Sequence, residues 1–442
     1  MAHHRSRGVE WAGYLLIYAV VQIASWWSQP TISHNDGLGF DGIHYTTLIV
    51  EILKGEAPRD VAPYVMRPGV PLVASALLSR EDVAGEITVG FVRRLRTTFF
   101  ALDSVANALT YLALLISLTR HVESREGRWL GACLFATSWI GPLRLAYYIP
   151  VHVDFISLTG VAWGLVLVDT IARGGSAAWI LPLGAISLFW GSVHEAYLAI
   201  PVSYLAAFNP WRTLAGPGEN RKSRLPPWWI VPLACSAITY FWVRTYVEPT
   251  DARGNSFYAQ HALSMLREKP WQFFPVAWLS VFGPALIVVG CNGRLAWRWL
   301  CEHQYFLLYL LLVLAMCVAG GKETERYVFW AFPVIFVLVG RAWDELGESL
   351  LRRPFVLGLL LVSQILAQRA VFRLPDFPGT NVSRLPVLTP WGWDFPYTDL
   401  MSSHANPAVP WLATIEYAVL GALLVYVLVG SSSAQQRPER SH

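Results

Sequence analysis

The sequence predicts an all-α polytopic membrane protein: one transmembrane domain over residues 1–442, with about twelve membrane-crossing helices. Three observations carry this. The 442 residues are 54% hydrophobic and only 14% charged, with a mean hydropathy of +0.40, too apolar for a soluble globule of this length. Apolar runs recur at lengths that suit a hydrocarbon core of about 30 Å. Many of the 21 Trp and 18 Tyr stand at the ends of those runs, where amphipathic rings suit the headgroup layer.

The first run, residues 11–27, follows MAHHRSRGVE with no small-residue cleavage site behind it, which predicts a retained first span rather than a removed signal peptide. Further spans are expected at 97–119, 128–148, 155–172, 228–247, 271–290, 304–319, 327–343, 355–370 and 411–430. Residues 177–208 are long for one helix and are interrupted by His194 and Glu195, so two short spans are expected to meet there. An alternative treats 177–208 as one tilted helix and makes 64–79 a span, with the same parity at both ends of the chain.

Basic residues set the orientation. With the N-terminus cytoplasmic, Arg5, Arg7, Arg120, Arg125, Arg128, Arg212, Arg221, Lys222, Arg224, Arg294, Arg298, Arg352 and Arg353 all fall inside, as the positive-inside rule asks. Arg93, Arg94 and Arg96 are the exception. The net charge of +4 is scattered rather than gathered in a basic block, which argues against a nucleic-acid partner. The five cysteines form no CxxC pair, so neither a disulfide framework nor a zinc knuckle is suggested.

Two long segments then lie outside, 28–96 and 371–410. In the first, IHYTTLIVEILK (43–54) and GVPLVASALL (69–78) read as amphipathic helices on the outer membrane surface. The stretch HNDGLGFDGIHY (34–45) packs two aspartates, two histidines and three glycines just after the first span. Gly37, Gly39 and Gly42 would let the backbone turn tightly there. Elsewhere Asp103, Asn107, Arg144, His152, Asp154, His194, Glu195, Arg244, Glu248, Arg326 and Glu416 gather at the outer ends of spans. Ionisable groups cost about 2.5–3.5 kcal/mol at a helix centre, so this placement predicts a polar cavity on the outer face beneath the loop. His34, Asp36, His152, Asp154, His194 and Glu195 are types that could hold a divalent metal. No HExxH unit is present, since the His-Glu pair is followed by Ala196, Tyr197 and then Leu198, and no cofactor is expected.

This layout resembles the GT-C superfamily of integral-membrane glycosyltransferases, which includes protein O-mannosyltransferases and lipid A aminoarabinose transferases. The likeness rests on DGIHY (41–45) for an acidic motif in the first external loop, PYVMRPGVPL (63–72) for a Pro-rich segment of the form PPLYYWL, and RRLR (93–96) for an Arg before the second span. Asp154 in YYIPVHVDF resembles an acidic residue after the third span, and ERYVFWAFP (325–333) resembles an R-Y-L-x-P-x-x-P stretch. Gly42 departs from the pattern where many relatives have a second acid.

The resemblance implies transfer of a sugar from a polyprenyl-phosphate-type lipid to a hydroxyl of a glycan, lipid or protein acceptor. The site would face out of a bacterial inner membrane or into the endoplasmic reticulum, and the short loops favour the former. Such chemistry needs a base, and Asp41 is the first candidate with Asp36 in reserve. It needs cations for the leaving phosphate: Arg326, with Lys322, Arg67, Arg93 and Arg94. His44, Tyr45, His152, Asp154, His194 and Glu195 would line the substrate pocket, and Trp391 and Trp393 in WGWDFPY offer faces for sugar stacking. Each assignment has a plainer counterpart: a helix cap for Asp36 or Asp41, an interfacial anchor for Arg326, an aromatic belt for 391–397. Other classes are a transporter or lipid flippase, and a non-catalytic partner that has kept the fold.

Overall fold

A computed structural model describes residues 2–39, 41–80, 88–138, 140–207, 228–250, 257–268, 273–320, 324–349 and 353–368, with a few helical positions between 415 and 426. Helix α1 (Ala2–Ser28) opens the chain, and a 3-10 turn at His34–Gly37 leads to α2 (Asp41–Lys54), strand β1 (Arg59–Asp60) and α3 (Gly69–Leu77). Then come α4 (Val89–His121), α5 (Arg125–Thr137), α6 (Pro142–Tyr148), α7 (Asp154–Ala172), α8 (Ile180–Trp190) and α9 (Ala199–Ala206). Helix α10 (Val231–Tyr246) precedes strand β2 (Glu248–Pro249). The remaining helices are α11 (Phe257–Glu268), α12 (Phe273–Phe282), α13 (Ala285–Cys291), α14 (Gly293–Glu302), α15 (Gln304–Ala319), α16 (Thr324–Phe329), α17 (Phe332–Ser349) and α18 (Arg353–Ala367). Strands β1 and β2 pair in parallel, Arg59 opposite Glu248, and tie the first loop to the segment after α10.

Among the described residues three helices are long and apolar enough to cross a membrane: Gly8–Ser28, Val89–His121 and Asp154–Ala172. A fourth is reached if α14 and α15, bent by 111°, count as one span. The expected figure of about twelve is therefore not met by helices of that length. The reason lies in proline and glycine, which end helices by removing a donor or by giving up backbone order. The run 128–148 breaks before Gly141, with Pro142 opening α6. Gly283 and Pro284 divide 271–290 into α12 and α13, and 327–343 divides between Phe329 and Phe332. Residues 177–208 split at the segment carrying His194, as expected. The 371–410 segment lies outside the described residues, as does most of 411–430.

Two further differences concern the first loop. The apolar face of α2 (Tyr45, Leu48, Ile49, Leu53) is buried in protein against α3, where a helix resting on the membrane would turn it to lipid. Helix α4 starts at Val89, capped by the Thr88 hydroxyl on the Phe91 amide, so Arg93, Arg94 and Arg96 ride on a helix rather than in a loop.

Helix α7 lies centrally, packed on α4 and α8. Its glycines permit this. A Cβ on Gly160 would fall 2.1 Å from the Trp190 ring and one on Gly164 would fall 2.7 Å from Ile200, the close approach that small residues allow between membrane helices. At the end of α7 remote from Asp154, buried Asp169 accepts hydrogen bonds from Tyr305 (2.5 Å), Arg173 (2.9 Å) and Arg120 (3.2 Å), joining α4, α7 and α15. A smaller apolar cluster, with Tyr45, Leu48, Val65, Phe91, Val151, Val153 and Val193, lies under the first-loop helices. Val151 and Val153 flank His152 and Val193 precedes His194, which fixes where those side chains emerge.

Candidate active site

The loop before α2 is built from left-handed residues: Asn35 (φ 53°), Asp36 (φ 55°), Gly37 (φ 86°) and Gly39 (φ 71°). Asn and Asp tolerate that region better than other side chains, and glycine adopts it without a Cβ clash. The turn delivers Asp41 as the first residue of α2. Gly42 then allows close approach to the chain beside His152, since a Cβ there would lie 3.1 Å from the Val151 Cβ and 3.2 Å from its carbonyl oxygen. A second acid at this position would meet that chain.

The Asp41 carboxylate is held by side chains of three segments. Tyr64 donates to Oδ1 at 3.0 Å, His152 Nε2 lies 2.8 Å from Oδ2, and Arg326 Nη1 lies 3.5 Å from Oδ2. Arg326 also donates to Asp154 Oδ2 from Nε (3.0 Å) and Nη2 (2.6 Å), and its Nη2 lies 2.7 Å from His152 Nε2. Asp154 opens α7, where the helix dipole favours a negative charge.

Two histidines are oriented the same way. The Asp154 amide donates to His152 Nδ1 (3.2 Å), and the Ala196 amide donates to His194 Nδ1 (3.1 Å). Each Nδ1 is thus an acceptor, which leaves the neutral ring's proton on Nε2. His194 Nε2 lies 3.5 Å from Asp154 Oδ1, and its ring packs on Trp330 at 4.9 Å between centroids. Beside it Arg67, 4% exposed, makes a two-nitrogen contact with Glu195, Nε to Oε2 being 2.8 Å, and its Nη1 donates to Tyr45 at 3.5 Å. At the other edge His44 Nδ1 lies 3.0 Å from both oxygens of Asp60, and the His44 ring stacks on Tyr64 at 4.0 Å.

Burial would raise the Asp41 carboxyl, but the hydrogen bond from His152, with the Arg326 charge, holds it well below the usual carboxylate range. Burial likewise opposes the Glu195 charge, and the Arg67 charge and hydrogen bond overcome it and lower that group to about 2. Burial and the Arg67 charge push His194 down to about 4, so it is neutral at pH 7. The hydrogen bond that His44 donates to Asp60 raises His44.

The structure therefore joins Asp41, His152, Asp154, Arg326, His194, Glu195, Arg67 and Tyr45 in one cluster, with His44 at its edge. Asp36, Arg93 and Arg94 are not brought to Asp41: all three are exposed, and Asp36 meets Arg96 through its backbone carbonyl (3.3 Å). Lys322, Trp391, Trp393 and Glu416 lie outside the described residues. Other expected members of the polar cavity point elsewhere. Asn107 donates to the Pro142 carbonyl, Arg144 to the Gln368 carbonyl, Arg244 covers Tyr240, and Glu248 pairs with Arg59. Asp103 is buried with neither oxygen hydrogen-bonded among the described residues. Among the described residues no three His, Cys, Asp or Glu side chains converge as a metal-ligand set. Sequence reasoning missed Tyr64, Asp60 and Trp330. Two of these, Tyr64 and Trp330, sit inside the segments PYVMRPGVPL and ERYVFWAFP, where an aromatic beside a singled-out charge was the available signal.

No protein-family description matches this sequence, and no curated protein does. Among solved structures, the single-particle cryo-EM structure of arabinosyltransferase EmbB from Mycobacterium smegmatis is similar over 96% of this chain, with a TM-score of 0.48 and 14% identity. This chain covers 41% of the length of that one.

Proposed function

We propose that this chain is a membrane glycosyltransferase that moves a sugar from a polyprenyl-phosphate-type donor to an acceptor hydroxyl on the extracytoplasmic face, with Asp41 as general base. One observation carries the reading: a buried carboxylate at the start of α2 shares a histidine and an arginine with a second carboxylate at the start of α7. Perturbed acids converging with a fixed guanidinium suit proton abstraction beside a departing anion.

In the proposed step the acceptor oxygen bonds to the anomeric carbon as the bond from that carbon to the donor phosphate breaks. The phosphate leaves with the electron pair, and the hydroxyl proton passes to Asp41. A carboxylate held this low takes a proton late, once the attacking oxygen has gained positive character. The Arg326 Nη1 edge, 3.5 Å from Asp41, is the place for the leaving phosphate. A phosphate there competes with Asp41 for the guanidinium and strengthens the base as the donor binds. The Tyr45, His44 and Glu195 side chains would position the sugars.

The test is transfer of radiolabelled sugar from a panel of polyprenyl-phosphate donors by purified protein in lipid. Asp41→Asn should lower turnover by about 10²- to 10⁴-fold, and Arg326→Ala by a comparable factor, while Asp36→Asn stays near wild type. Absence of turnover with every donor, or an active Asp41→Asn, overturns the reading. One observation favours a transporter instead: Asp103, an intrahelical acid of α4 without a hydrogen bond among the described residues, a common mark of an ion path. Substrate flux in sealed vesicles, abolished by Asp103→Asn, would select that class.

A further inference from the structure

Two adjoining cavities, about 260 Å³ and about 670 Å³, open between the end of α1 and the first turns of α4, sharing Thr31, Arg96 and Thr97. Both helices are of membrane-crossing length and apolarity. Aromatic Trp26, Phe100 and Tyr147 line the first cavity, and Arg93, Arg96 and Asp36 line the second.

The charge here differs in kind from that of the Asp41 cluster. There, both arginines are engaged by carboxylates, Arg67 by Glu195 and Arg326 by Asp154. Here the Arg93 guanidinium makes no hydrogen bond among the described residues, and Arg96 touches Asp36 only through a backbone carbonyl. Two cations face one exposed carboxylate beside an exposed apolar rim: Trp26 and Trp27 are 61% and 82% exposed and Val89 is 82% exposed.

We infer that this groove is a binding site for the phosphate headgroup of an anionic membrane lipid, with Arg93 and Arg96 on the phosphate and the aromatic wall against the glycerol and upper acyl region. A guanidinium meets phosphate oxygens with two parallel hydrogen bonds, and tryptophan and tyrosine suit that depth of a bilayer. The site also touches the loop that carries Asp41. The Cβ position of Gly37 lies 2.7 Å from Arg96 Nη1, so a lipid seated on Arg96 braces the turn from one side while Val151 meets it at Gly42 on the other. The site stands independently of the glycosyl-transfer reading.

The test uses spin-labelled phosphatidylglycerol and spin-labelled phosphatidylcholine as probes for the full chain in vesicles of the two lipids in equal amounts. Wild type should restrict phosphatidylglycerol preferentially, and Arg93→Gln/Arg96→Gln should cut that preference roughly tenfold, the effect of losing about 1.4 kcal/mol. Because the Arg93 side chain has no hydrogen bond within the described protein, Arg93→Gln alone serves as the variant free of folding effects, and a smaller loss in the same direction is expected. Asp41→Asn should leave the preference intact, which separates this site from the proposed reaction. An unchanged preference in the double variant overturns the inference. Loss of the preference in millimolar inorganic phosphate overturns the assignment to a lipid and marks a free-anion site.

Discussion

At His152 one ring nitrogen faces two neighbours with opposite demands. Nε2 lies 2.8 Å from an acceptor on Asp41 and 2.7 Å from a donor on Arg326, and the Asp154 amide already occupies Nδ1. With Nδ1 accepting from that amide, the ring's Nε2 hydrogen is directed to Asp41, and Arg326 meets the same carboxylate as a second donor. Because His152 is the strongest influence holding Asp41 down, His152→Asn should raise Asp41 toward the ordinary carboxylate range. The acid limb of the pH–rate profile should then move upward, and an unmoved limb with reduced kcat would assign His152 to substrate contact alone. Arg67 tests the neighbouring pair. Arg67→Leu leaves Glu195 half-buried without its partner and should cost roughly 3–5 kcal/mol in chemical unfolding, much of it recovered in Arg67→Leu/Glu195→Leu. Non-recovery would show that the loss came from packing of the arginine stem. The sequence singled out Asp41, His152, Asp154, Arg326 and Glu195 because charged groups next to apolar runs are costly wherever they stand. It ranked Asp41 ahead of Asp36 but could not show that a left-handed turn between them sends their side chains to different places.

Among the elements, glycines decide which segments meet. Gly69 donates its amide to the Ser192 carbonyl at 2.9 Å, and its Cβ position lies 2.5 Å from the Ser192 hydroxyl. That contact sets the start of α3 against the segment carrying His194 and Glu195. Gly42 does the same for α2 and Val151. Gly42→Val should therefore push Asp41 from His152 and lower turnover by about tenfold or more while the helices persist by circular dichroism. Wild-type turnover in that variant would show that the Asp41–His152 contact is dispensable. These roles were not legible in advance, because a glycine's use depends on what approaches it from elsewhere in the chain. The helix breaks were partly legible, since the proline and glycine positions are printed in the sequence. Reading the apolar runs as continuous spans underweighted them.

For the molecule as a whole, acidity should act through the cluster. The depressed His194 withholds a proton that the unfolded chain accepts near pH 6.5, so stability begins to fall below that pH and continues to fall through its folded value of about 4. The depressed Asp41 and Glu195 contribute stability that is complete above their unfolded values of about 3.9 and 4.3. It is lost as pH falls further, for Glu195 through about 2. Thermal unfolding in detergent should thus weaken in two stages, and His194→Gln should remove the first while leaving the second. A single stage unaffected by that substitution would place the acid sensitivity outside the cluster. The region matters globally because α7 carries Asp154 at one end and Asp169 at the other, each tied to side chains of other helices.

The sequence by itself determined that the chain is helical and apolar enough for a membrane, that its first loop is ordered into helices, and which residue types carry chemistry. These follow from local composition and periodicity, which do not depend on partners. Only the tertiary structure decided that Asp41, from the first loop, meets His152, Arg326 and Tyr64, and that Arg93 stands apart from them. Those contacts join residues up to 285 positions apart (Asp41 and Arg326), and such distances are closed by helix packing at glycines and by valines buried beneath the site, through forces that act between segments and leave no mark within any one of them.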